Sequence, residues 1–125
     1  MVSFNELIDA DLFSDILEQA KYLLSEGYLR ASVVVAGVAL ESHLRKLADK
    51  NSILIKDING KYVKAETLNN LLYEKGIVDK SFHKSITAWL GLRNEGAHPG
   101  DKDITSGLIE PMIQGILVLI EKYPA

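Results

Sequence analysis

Ala31-Ser32-Val33-Val34-Val35-Ala36-Gly37-Val38-Ala39-Leu40-Glu41 carries one hydroxyl and no charge before its final carboxylate. A helix that is apolar nearly all round belongs in the middle of a bundle, with neighbours on every side. The run is far too short to cross a membrane. It then turns polar through His43, Arg45, Lys46, Asp49 and Lys50, so a second helix is predicted from Tyr28 to about Lys50. Upstream, Phe13, Ile16, Leu17, Ala20, Leu23 and Leu24 recur at i, i+3, i+4 and i+7, which makes one apolar helical stripe. Ser3-Phe4-Asn5-Glu6 fits a capping box at its start, with Asp11 or Ser14 as competing starts. Gly27 is the predicted stop. With only two or three residues between them, the first two helices are expected to form an antiparallel hairpin.

Downstream the pattern breaks. Ile53, Ile55, Ile58, Tyr62 and Val63 flank Asn59-Gly60, a pair that type I′ turns prefer, which predicts a short irregular hairpin between Asn51 and Lys64. Leu68, Leu71 and Leu72 give a third helix over Ala65 to Lys75, stopped by Gly76. Asp79 is a good N-cap for a fourth, expected to run to about Asn94. Gly96, Pro99 and Gly100 punctuate the next stretch. The last helix carries Ile109, Met112, Ile113, Ile116, Leu117 and Ile120 and ends before Pro124, with Pro111 tolerable in its first turn. The expected fold is all-α: a compact bundle of about five helices, forming one domain over residues 1–125.

Composition narrows the chemistry. The chain has 125 residues, 47% of them hydrophobic and 25% charged, with no cysteine and a net charge of −3. Thiol catalysis, Fe–S clusters and cysteine-rich zinc sites are excluded. A slightly acidic chain is not a generally basic nucleic-acid binder, although a small local site remains open. The first residues lack the basic start of a secretory signal, so a cytoplasmic protein without membrane association is expected. No Walker loop, G-x-G-x-x-G, H-E-x-x-H or G-x-S-x-G occurs. The 3 histidines are spread along the chain, so neither a metal nor a cofactor is expected. His83 reads as surface of the fourth helix and His43 as the polar flank of the second.

A charge stands where an apolar residue belongs. Phe82, Ile86 and Trp89 form the inward stripe of the fourth helix, and the next position on it is Arg93. A guanidinium cannot be deprotonated, so on a buried face it needs a carboxylate, a subunit interface or a bound anion, unless it snorkels to water. Glu41 shares a face of the second helix with Val34 and Val38. It is either the partner of Arg93 or one half of an i,i+4 pair with Arg45. In a continuous helix Arg93 and His98 would point about 140° apart. If Gly96 releases the helix and Pro99 biases His98 toward extended backbone, the histidine can return toward Arg93. Otherwise it is a cap or a surface residue.

Arg93-Asn94, three residues and His98 form the R-x4-H pattern of the HEPN superfamily, which this sequence resembles. The stretch from Ala31 to Glu41 is similar to the small-and-apolar second helix of that superfamily, ending in Leu-Glu. Thr67-Leu68 through Gly76 to Asp79 resembles the approach to its motif-bearing helix. The resemblance implies a metal-independent endoribonuclease of the kind found in toxin–antitoxin and anti-phage defence systems. It implies RNA as substrate, an antitoxin protein as a partner, and a homodimer in which two motifs share a cleft. Other members have lost catalysis and serve as docking or nucleotide-sensing modules, and that is the alternative reading.

The residues themselves suit RNA cleavage. RNA carries its own nucleophile in the 2′-hydroxyl. His98 can move a proton near neutral pH, Arg93 offers phosphate a planar fork of donors, Asn94 can orient phosphate or ring, and Glu41 can hold Arg93 from behind. One such histidine per chain is few for acid and base together, and a dimer supplies two. Trp89 and the apolar last helix also offer more hydrophobic surface than one small core needs.

Overall fold

The structure, a computed structural model, describes residues 4–98 and 104–125. Five helices occur among them: α1 (Phe4–Ser25), α2 (Leu29–Lys50), α3 (Ala65–Glu74), α4 (Lys80–Ala97) and α5 (Ser106–Lys122). The all-helical bundle read from the sequence is therefore present. Ser3, half of the expected capping box, lies outside the described residues.

α1 and α2 form the expected antiparallel hairpin. Gly27, at φ +82°, takes the left-handed conformation that closes α1. The Gly27 and Tyr28 N–H groups then reach back to the Leu24 and Leu23 carbonyls, which satisfies two of the helix's last acceptors. Inside the hairpin the Ser32 hydroxyl donates to the Ala20 carbonyl at 2.7 Å, which accounts for a polar residue on the buried helix. α2 packs against each of the other four helices, as a helix apolar on most sides must. Val33, Ala36, Ala39, Leu40 and Leu44 are fully buried along it. Leu17 of α1, Leu68 and Leu72 of α3, Ile86 of α4 and Met112 and Ile116 of α5 complete the core around them.

Four local expectations are corrected. The loop between α2 and α3 folds back on itself through one antiparallel bridge between Lys56 and Tyr62, flanked by bonds from the Asp57 and Val63 N–H groups to the Lys61 and Ile55 carbonyls. Its turn is not type I′, because Gly60 has positive φ while Asn59 does not. The Asp57 carboxylate instead accepts from the Asn59 and Lys61 N–H groups at 2.8 and 3.0 Å and shapes the turn locally. α4 does not stop at Asn94; it runs through Gly96 to Ala97. Gly96 is buried against Val33, where a Cβ would sit 3.0 Å from the valine Cγ1, so it serves close helix packing rather than termination.

Pro111 lies in the second turn of α5 rather than the first. The carbonyl left without its N–H is that of exposed Gly107, where water can replace the lost donor. Finally, His43 is no polar flank. It is 1% exposed, its Nε2–H donates to the Tyr123 carbonyl at 2.9 Å, and Phe13 meets it edge-on. The C-terminal end of α5 folds across α2 and supplies the acceptor.

Candidate functional site

The end of α4 that carries Arg93 lies beside the first half of α2. Arg30 fixes this end: its Nη1 donates to the Glu95 carbonyl at 2.7 Å, covering an open acceptor in the last turn of α4. At the other end Asp79 accepts from the Phe82 N–H at 2.8 Å, the expected N-cap. That backbone donor, and then the Lys122 ammonium, hold the Asp79 carboxyl below its ordinary pKa. Both ends of the motif-bearing helix are thus tied down.

Glu41 and Arg93 meet. Arg93 Nε lies 3.1 Å from Glu41 Oε1, with the two side chains 29% and 23% exposed. The oxygen sits off the N–H axis, so Nε gains a charge partner without a directed hydrogen bond. Gly37 makes the approach possible. It lies one turn before Glu41 on α2, and a Cβ there would overlap the Cγ of Arg93. The arginine stem therefore lies across a bare stretch of α2 and presents its head to the next turn. Arg45 is not the partner of Glu41. Its guanidinium stacks over the Tyr62 ring, 4.8 Å from the centroid.

Arg93 and Asn94 open on a groove of about 400 Å³ whose walls also include Glu41, Arg45, Lys64 and Glu66. Three cations face two carboxylates there, an excess of positive charge on a chain whose net charge is −3. The N-terminus of α3 borders the same groove. Its N-cap residue, Lys64, makes no side-chain capping bond, so first-turn N–H groups and the positive end of the helix dipole are left for another acceptor. Arg93 Nε faces Glu41, and no hydrogen bond or ion pair to another described residue occupies Nη1 or Nη2.

His98 is placed differently. It is the C-cap of α4, extended at φ −128° and ψ 90°, with its N–H on the Asn94 carbonyl at 2.8 Å. The extended backbone is what a following proline favours. The ring is exposed, and no hydrogen bond or ion pair joins it to Arg93, Asn94 or Glu41. Within one chain the structure joins Arg93 to Glu41 and leaves His98 apart. Of the other histidines, His83 lies half-buried, stacked on Tyr73 with its Nε2 on Asn70 Oδ1 at 2.8 Å. Among the described residues no group of three or more His, Cys, Asp or Glu side chains is arranged to hold a metal.

Asn94 also borders a second cleft, of about 720 Å³, between α4 and α5, whose walls include Trp89, Leu92, Glu95 and Leu108. Trp89 there packs on Gly115 of α5, where a Cβ would overlap its ring. Leu108 and Val118 of α5 remain about half exposed. Arg45 and Lys64 were the site residues hidden from the sequence. Arg45 reads as a salt-bridge partner of Glu41, and Lys64 as the last residue of an irregular loop. The one usable signal was Tyr62, an aromatic between them with no apolar periodicity of its own.

A scan against protein-family models finds no match to the chain, and neither does a search of curated proteins or of solved structures. No described helix is long and apolar enough to cross a membrane.

Proposed function

We propose that the chain is a metal-independent endoribonuclease of the toxin or defence type, acting on RNA through Arg93, Asn94 and His98. The observation that carries this reading is the Arg93–Glu41 pair at the edge of a groove with excess positive charge. Glu41 holds the guanidinium by one side and leaves its terminal nitrogens to a phosphate. In the reaction the 2′-hydroxyl attacks the adjacent phosphorus and the bond to the 5′-oxygen breaks. The products are a 2′,3′-cyclic phosphate and a 5′-hydroxyl. Arg93 stabilises the charge that gathers on the phosphoryl oxygens, Asn94 orients that group, and His98 moves the proton. A homodimer brings a second His98, so that one ring takes the proton from the nucleophile while the other gives one to the leaving oxygen.

One observation favours the second reading, a silent interaction or nucleotide-sensing module: His98 is not joined to Arg93 within a chain. Incubating the purified chain with single-stranded RNA in EDTA separates the two. Cleavage to cyclic-phosphate ends, with all-deoxy substrate left intact, supports the enzyme. Intact RNA, or cleavage that needs a metal, removes it.

A further inference from the structure

The groove beside Arg93 does not end there. It continues between α3 and α4, which run antiparallel, as two further depressions of about 230 and 410 Å³. The first shares Glu66 and Leu90 with the Arg93 groove, and the second shares Thr87 with the first. From Arg93 to Lys80 the track follows α4 for 13 residues (93 − 80), a length of about 20 Å at 1.5 Å per residue. Its far end carries Lys80 and Lys84, together with the stacked rings of Tyr73 and His83, 4.6 Å apart and 18° from parallel. Each end is thus cationic, and the far end also presents an aromatic face.

The middle of the track is walled by a buried amide. Asn69 is 1% exposed and borders the central depression. Its Nδ2 donates to the His83 carbonyl and to Thr87 Oγ1, both at 3.1 Å. A backbone carbonyl can only accept, so these bonds determine which way round the amide lies. Asn69 Oδ1 is left buried without a donor.

We infer that the α3–α4 groove is the binding track for the single-stranded RNA that flanks the scissile bond. The inference rests on the ribonuclease reading. Phosphates contact Arg93 at one end and Lys80 and Lys84 at the other, and a base stacks on the outer face of Tyr73. Aromatic stacking with cationic flanks is how single strands are held without sequence preference. Glu66 stands midway and repels phosphate, so binding is carried by the ends and the salt dependence is modest.

The test is fluorescence anisotropy with a labelled single-stranded RNA of about ten nucleotides, measured on the His98→Ala chain so that the probe stays whole. Lys80→Ser with Lys84→Ser, both at exposed sites, is expected to raise Kd about tenfold. It should also reduce the slope of log K against log salt by about 1.4, two phosphate contacts at 0.7 each. Tyr73→Ala is expected to weaken binding by a similar factor through lost stacking. Unchanged affinity in both variants, or no binding of RNA by the parent chain, overturns the track. If the track binds RNA and the His98-intact chain leaves it uncut, the cleavage reading fails and the track stands. If the chain cuts RNA and the variants bind as the parent does, the track falls and cleavage stands.

Discussion

Glu41 shows how much one carboxylate's choice of partner decides. Periodicity placed it at the edge of an apolar stripe with two arginines in reach, Arg45 on its own helix and Arg93 on another. The structure pairs it with Arg93 and gives Arg45 to the ring of Tyr62. The pair is about three-quarters buried, between an exposed pair worth under 1 kcal/mol and a fully buried one that costs 3–5 when broken. Glu41→Gln should therefore lower the unfolding free energy by about 1–3 kcal/mol in urea, with Arg45→Gln within about 0.5 of the parent. Equal losses would contradict the pairing. His43 supplies a second test at this scale. Burial lowers its pKa from 6.5 to about 4, against the smaller upward pull of the Tyr123 carbonyl and Asp9. The folded chain keeps the ring neutral while the unfolded chain protonates it, so stability falls as pH drops from about 6.5 to about 4 and this contribution levels off below that. The full loss is about 3 kcal/mol. A His43→Gln chain, which does not titrate there, should show a smaller fall in melting temperature over the same range.

Among the elements, helices with long periodic stripes were legible and the irregular segment was not. Leu29–Lys50 and Ala65–Glu74 fall within a residue or so of their expected limits, the first on apolar spacing after the stop of α1 at Gly27, the second because apolar spacing and the stop at Gly76 agree. Gly96 misled, because a glycine that ends a helix and one that lets two helices touch look alike in sequence. The contact with Val33 decides, and Val33 is far away in the chain. The Asn59-Gly60 turn was misjudged because the Asp57 side chain builds a different turn. Of the site, a charge on an apolar stripe leaves Arg93 and Arg45 as alternative partners of Glu41, and the structure selects Arg93. The cationic lining by Arg45 and Lys64 depends on how the loop folds back, which no periodicity records. Gly37 ties element to site. Gly37→Ala should gain about 1 kcal/mol of helix propensity and lose about 1–3 by overpacking against Arg93. The expected outcome is a small change in urea midpoint with RNA cleavage lowered at least tenfold through displacement of the guanidinium. Full activity would show that the close approach at Gly37 does not position Arg93.

Over the whole molecule, α2 is the axle and α4 the element that carries Arg93 and Asn94, with His98 as its C-cap. The pairing of α4 with α2 is tight, while α4 and α5 meet sparingly and leave a cleft with Trp89 and Leu108 in its walls. On the proposed mechanism a second copy completes the site, so light scattering at micromolar concentration should give twice the mass of one chain. Specific activity should then fall on dilution below the dimer constant. The most direct measurement is the cleavage rate of single-stranded RNA in EDTA by the intact chain, Arg93→Ala and His98→Ala, each checked for parental helicity by circular dichroism. Loss of at least a hundredfold in both variants, with 2′,3′-cyclic phosphate ends from the intact chain, is the outcome expected of a metal-free Arg/His site. Undiminished cleavage in either folded variant, or no cleavage by the intact chain, would contradict it.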